Sequence, residues 1–200
     1  MATIRLTKNE LKTQKDALKR FQRYLPTLQL KKQQLQLVLR QIEQKQREVE
    51  GERDELKKAM ETWVAIFADP QDLPSLISVK EMRTSTGNIA GIDIPVFENL
   101  EFEIAEYDLF RIPLWVDQAL ETLKRILSLD AELEVLKEQY RLVAEELRVT
   151  SQRVNLFEKV KIPETRGNIK KIQIYLGDQQ TAAVVRGKMS KNKIAKGGAA

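Results

Sequence analysis

The chain has no cysteine and no histidine. The first absence excludes a disulfide frame, a thiol nucleophile and thiolate metal sites. The second removes the commonest metal ligand and the commonest general base near neutral pH. Neither absence excludes an Asp/Glu enzyme, but together they argue against chemistry carried out within this chain. The expectation is therefore no catalytic residue, no metal and no cofactor. Gly and Pro together fill only 14 positions, while 32% of residues are charged, a composition that favours long helix over a globular α/β domain. No apolar run approaches the ~18–20 residues that a membrane-spanning helix needs. The opening Met-Ala-Thr-Ile-Arg-Leu-Thr-Lys has no apolar signal-peptide core. The expectation is a cytoplasmic protein without direct membrane insertion.

What the chain does have is seven-residue apolar spacing in two long runs. In the first, Phe21, Leu28, Leu35, Ile42, Val49, Leu56 and Trp63 form an unbroken stripe. In the second, Ile126, Leu133, Tyr140, Leu147 and Val154 interleave with Leu129, Leu136, Val143, Thr150 and Phe157. A straight helix would carry such stripes off the contact line, so sustained heptads under-wind two helices into a left-handed coil. With the first stripe at position d, Leu11, Leu18, Leu25, Leu39, Met60 and Phe67 fall at a, and Lys32, Gln46 and Arg53 interrupt that series. Long polar side chains there either snorkel from a loosened seam or fix its register.

The fold expected is all-α: a long antiparallel two-helix left-handed coiled coil with a small central β-hairpin insert. Thr7 suits an N-cap, with Glu10 three residues on completing a capping box. The first helix then covers 7–68, stopped by Asp69-Pro70. Residues 69–113 form the connecting segment. Ile77-Ser-Val79 and Ile89 to Val96 read as its strands, with Thr84-Ser-Thr-Gly87-Asn88 as the turn between them. Pro95 belongs at a strand end or edge, residues 96–112 are ambiguous, and Pro113 suits a first helical turn. The second helix covers 114–176, with its stripe slipping after Phe157 to Ile162, Ile169 and Leu176. Residues 177–200 read as a basic flexible tail. At ~1.5 Å per residue each helix is ~90 Å long. A connection of this length that also folds a hairpin cannot span that distance, which makes the pairing antiparallel. If the ends near Ala68 and Leu114 face each other, Pro26 lies opposite about Leu156 and Pro163 opposite about Lys19. Both prolines remove a helix hydrogen bond, so a bend is expected there.

The net charge of +5 is unevenly spread. Residues 1–40 carry ten Lys/Arg against two Asp/Glu, residues 160–200 carry nine against two, and residues 41–159 are net −10. Folding the helices back gathers both basic ends at one tip. Such runs are most often solvated faces, but this tip also suits nucleic acid or a negatively lined protein cavity. A second apolar series lies off the seam: Val135, Leu142, Val149 and Leu156 on the second helix, with Leu30 and Leu37 on the first. The pairing puts Leu30 and Leu37 level with about Gln152 and Glu145. Isolated exposed leucines are ordinary; six at one level of a two-helix structure are an expected contact surface for another chain.

No Gly-rich phosphate loop, nucleophile elbow or paired-carboxylate signature stands out. Pairs such as Glu48/Glu52 and Glu132/Glu138 read as solvated polar face. Three segments, in order, resemble one family. Leu6-Thr-Lys8 followed by Tyr24 to Leu35, with Lys31 and Lys32 inside it, resembles the "LTK…LLKxKRDxL" opening of the D subunit of the V-type/A-type rotary ATPases. Asn88-Ile-Ala-Gly91-Ile-Asp-Ile-Pro95 is similar to that family's "NVMGVxVP". Arg153-Val-Asn155-Leu-Phe157-Glu-Lys-Val160-Lys-Ile162-Pro163 is similar to its "RVNALExVxIP". Gln33 departs from an acid in the first motif, Pro26 is unusual within that helix, and the family's acidic, arginine-rich ending is missing.

The resemblance implies a non-catalytic central-stalk rotor shaft. Its paired terminal helices would enter the hexamer of catalytic A and regulatory B subunits. Its other end would meet the small F subunit and the subunit capping the membrane ring. Rotation would couple ATP hydrolysis or synthesis to proton or sodium transport at the cytoplasmic membrane face. Two readings without a motor remain. A coiled-coil scaffold or tether explains the heptads but not the three ordered motifs. A basic-tipped nucleic-acid binder would lose affinity steeply with salt, but the basic tail has no stacking aromatics.

Overall fold

The computed structural model describes residues 4–64, 76–105 and 115–197. Helix α1 covers Lys8–Val64, strands β1 and β2 cover Ile77–Ile89 and Ile92–Ile104, and helix α2 covers Trp115–Asn155. A π-helical turn, Leu156–Lys161, leads into helix α3, Ile162–Gly197. The expected stop at Asp69-Pro70, the Pro113 start and the Trp63 side chain lie outside the described residues. The cap is as the sequence implies in one half: the Glu10 amide donates to Thr7 Oγ1 at 3.3 Å. The Glu10 carboxylate instead accepts from Gln14 Nε2 at 2.8 Å.

Contacts divide the chain into two compact units, Lys31–Val149 and Met1–Leu30 with Thr150–Ala200. In the Lys31–Val149 unit, α1 and α2 run antiparallel, as cross-helix ion pairs require. Lys31 bonds Glu146 at 2.7 Å, Lys45 bonds Glu132 at 2.7 Å and Arg125 bonds Glu52 at 2.5 Å. Heptad pairing puts Lys31 level with about Ser151, so the observed register lies a little over one turn away. The seam residues Leu35, Leu39, Ile42 and Val49 of α1 meet Leu133, Leu136 and Val143 of α2 in one buried cluster. Arg53, at a polar a position, reaches Asp130 at 3.3 Å and Asp54 at 2.7 Å.

The hairpin differs from expectation in where it turns. Ala90 and Gly91 carry φ of 53° and 82°, both positive as a two-residue type I′ turn demands. Residues 84–88 are strand, not turn, because Gly87 pairs with Ile94 and Asn88 with Asp93. Gly87 serves a close approach instead: a Cβ there would sit 2.9 Å from Val96 Cγ2. The ambiguous stretch after Val96 continues as β2 to Ile104. Pro95 pairs with Thr86. Counting back from the closing pair Ile89–Ile92, ladder alternation makes Thr86–Pro95 a non-hydrogen-bonded pair, where a missing N–H costs nothing. At the ribbon's base, Ile77 joins Val116 and Leu120 in a second buried cluster.

In the other unit, the Phe21 and Phe157 rings stack at a centroid distance of 5.3 Å. The segment expected to be a flexible tail is helical as far as Gly197. Pro26 lies inside α1, where the Thr27 hydroxyl donates to the Tyr24 carbonyl at 2.8 Å.

The surface ion pairs carry a pH signature. The hydrogen bond from Arg141 holds the Glu138 carboxyl below the usual range, and that from Arg148 does the same for Glu145. A depressed folded value means this stabilisation is complete above the unfolded pKa and is lost as pH falls through the folded one. NMR carboxyl titration should show Glu138 returning toward its ordinary value in Arg141→Gln, with Glu145 remaining depressed. Leu133→Ala, which empties a buried seam position, should cost ~3 kcal/mol in urea denaturation. Leu37→Ala, on a residue 58% exposed, should stay within ~0.5 kcal/mol.

Candidate functional site

The central motif builds the hairpin tip and seats it on the helices. Asn88 Nδ2 donates to Asp93 Oδ1 at 2.7 Å across the ribbon, and the Gly91 amide donates to Asn88 Oδ1 at 3.1 Å. Ile94 is 3% exposed and belongs to the seam cluster, with Ile89, Ala90 and Ile92 packed against it. The Pro95 carbonyl points away from β1, as its ladder position dictates, and accepts from Gln139 Nε2 of α2 at 2.5 Å. Gln139 is itself buried, so this bond latches the ribbon to the coil. A hollow lined by Val38, Ile89, Val96, Phe97 and Val135 remains beneath the ribbon.

This arrangement sorts the off-seam stripe. Val135 is buried at 5% beside the hairpin, and Leu142 packs against the seam cluster. Val149 is half-buried. Leu37 in the same unit is exposed, and in the other unit Leu30 and Leu156 are 57% and 43% exposed. Part of the apolar flank is therefore covered by the chain's own ribbon. Heptad positions alone do not reveal this burial, since they carry no information about the return path of an insert.

The other motif residues divide between structure and surface. Lys31 makes its cross-helix pair with Glu146, while Lys32 is half-buried. Arg153 and Asn155 are exposed beside the buried Val154. Pro163 directly follows the π turn, whose Ile162 amide donates five residues back to the Phe157 carbonyl. That wide closure keeps the proline ring from the carbonyl four residues before it, the clash that breaks an ordinary helix. The Thr165 hydroxyl then donates to the Lys161 carbonyl at 2.6 Å.

Periodicity also missed a surface. Beyond the fully buried Ile172, α3 exposes Ile174, Tyr175, Val184, Val185, Met189 and Ile194. The clue was present as apolar residues scattered through the basic stretch 174–194, which reads as tail only if it is assumed to be coil. The unit that contains this helix carries 18 Lys/Arg against 5 Asp/Glu, net +13. Among the described residues, no group of three or more acidic side chains is arranged to hold a metal. No described helix is long and apolar enough to cross a membrane.

These features define an antiparallel two-helix protein with a latched β-ribbon and an uncovered basic helix end. The chain belongs to the ATP synthase D-subunit family, which it matches over residues 10–192. It is 51% identical over 196 residues to the V-type ATP synthase D subunit of Borreliella burgdorferi, covering 98% of this chain and 97% of that one. The V-type ATP synthase D subunits of Chlamydia pneumoniae and Chlamydia muridarum are each 34% identical over 194 residues, covering 96% of this chain and 93% and 96% of theirs.

Gln139→Ala should leave the Pro95 carbonyl without its donor and cost ~1–3 kcal/mol. Hydrogen exchange should show faster opening at Ile92 to Val96, with the Leu133 and Val143 region unchanged.

Proposed function

We propose that this chain is the non-catalytic central shaft of a V-type ATP synthase. Its two terminal segments enter the hexamer of A and B subunits, and its rotation couples ATP hydrolysis or synthesis there to proton or sodium transport. The small F subunit and the subunit capping the membrane ring bind lower on the shaft, which keeps the chain on the cytoplasmic face of the membrane. One observation carries the reading: the helix end beyond Ile172 is basic, studded with apolar residues and, among the described residues, without a covering layer. A helix of this kind has little reason to persist alone in water, because helices draw most of their stability from packing an apolar face. A sleeve formed by other subunits supplies that packing, and an acidic lining supplies the complementary field. Leu30, Leu37, Leu142, Val149 and Leu156 are the remaining candidates for contact with the F subunit.

The test is reconstitution of the A/B hexamer with this chain. The full chain should bind and change the ATPase rate, and removal of residues 175–200 should weaken binding at least ~tenfold, about 1.4 kcal/mol. Leu37→Asp should spare hexamer binding and weaken binding of the F subunit. A hexamer that neither binds the full chain nor changes its rate overturns the shaft reading.

A further inference from the structure

We infer that the π turn at Leu156–Lys161 is a torsional compliance point built into the second helical run. Residues facing the seam there are Val154, Phe157, Ile162, Thr165, Ile169, Ile172 and Leu176, each buried or half-buried. They are spaced by three or four residues throughout, except for the five between Phe157 and Ile162. A heptad seam has room only for threes and fours, and one surplus residue swings everything after it by ~100°. The wide turn absorbs the surplus residue, so the seam continues in phase.

The same turn has a depleted hydrogen-bond ladder. Ile162 donates five residues back to Phe157, and the next residue, Pro163, has no N–H to donate. Glu158 thereby loses both candidate donors, Ile162 to the wider closure and Pro163 to its missing N–H, so its carbonyl is left without a backbone donor on a residue that faces solvent. No residue of the turn is fully buried, and Leu156, Glu158, Lys159 and Val160 are exposed, so side-chain packing braces it only near its two ends. Both ends are pinned, by the Phe21–Phe157 ring contact above and the Thr165–Lys161 bond below. Twist applied along this helical run concentrates between those pins, because Pro163 is the only residue of 115–197 that has no N–H to donate.

The consequence for the assembled machine rests on the shaft reading. If different partners grip the segments before and after the turn, the turn takes up transient twist and smooths the transmission of torque.

Hydrogen exchange on the full chain tests the device without that reading. Amides from Val160 to Arg166 should exchange at least ~tenfold faster than those from Tyr140 to Thr150. Deleting Lys159 together with Pro163→Ala restores unbroken heptad spacing and the missing donor, and should erase the difference. Pro163→Ala alone should keep the π turn, because the surplus residue remains, and reduce the difference only in part. A turn as protected as its flanks, or one still fast in the double variant, overturns the inference. In the reconstituted complex, single-molecule rotation should show a stiffer shaft for the double variant. Unchanged stiffness with hexamer binding intact overturns the compliance role alone, whereas loss of binding by the unaltered chain overturns the shaft reading instead.

Discussion

Everything in this molecule depends on a narrow apolar seam between two antiparallel helices. A two-helix pair has no second layer, so each buried side chain is covered from one side only and every phase error exposes it. Burial is worth roughly 25 cal/mol per Å² of apolar surface, and a slip of one residue would forfeit that gain over the remaining length. The structure contains two answers to this constraint. One is the wide turn before Pro163, which removes a one-residue error from the heptad count. The other is the β-ribbon, which folds back and supplies a third layer over part of the α1–α2 pair.

The ribbon shows how a few local choices fix a tertiary contact. Ladder alternation sends the Pro95 carbonyl outward, and Gln139 meets it from α2. A side chain at position 87 would crowd Val96, so glycine there keeps the ribbon closed. Ala90 accepts a left-handed backbone that asparagine or glycine would take more readily. Its methyl group packs against the seam cluster, which gives alanine a reason to occupy the turn.

Charge and exposed apolar surface separate the two units chemically. The terminal unit is net +13 and the Lys31–Val149 unit net −8, counting 16 Lys/Arg against 24 Asp/Glu. The basic unit also holds the uncovered helix end. A field of one sign beside uncovered apolar side chains suits a surface that meets other chains rather than water alone.

Sequence alone determined the elements that follow from short-range rules. Heptad stripes named the seam residues, Thr7 named the cap, and β-branched runs with Pro95 named a hairpin and its harmless proline position. Three ordered motifs named the family. Sequence also held the five-residue gap before Ile162, though only as a slip near a proline. Tertiary structure decided the rest. The turn moved to Ala90-Gly91 because strand pairing and seam contact outweighed the stronger local turn signal at Gly87-Asn88. Val135 became interior, because a return path through space is not written in periodicity. The gap became a π turn, because packing against α1 keeps the helix after Pro163 in phase with the helix before it.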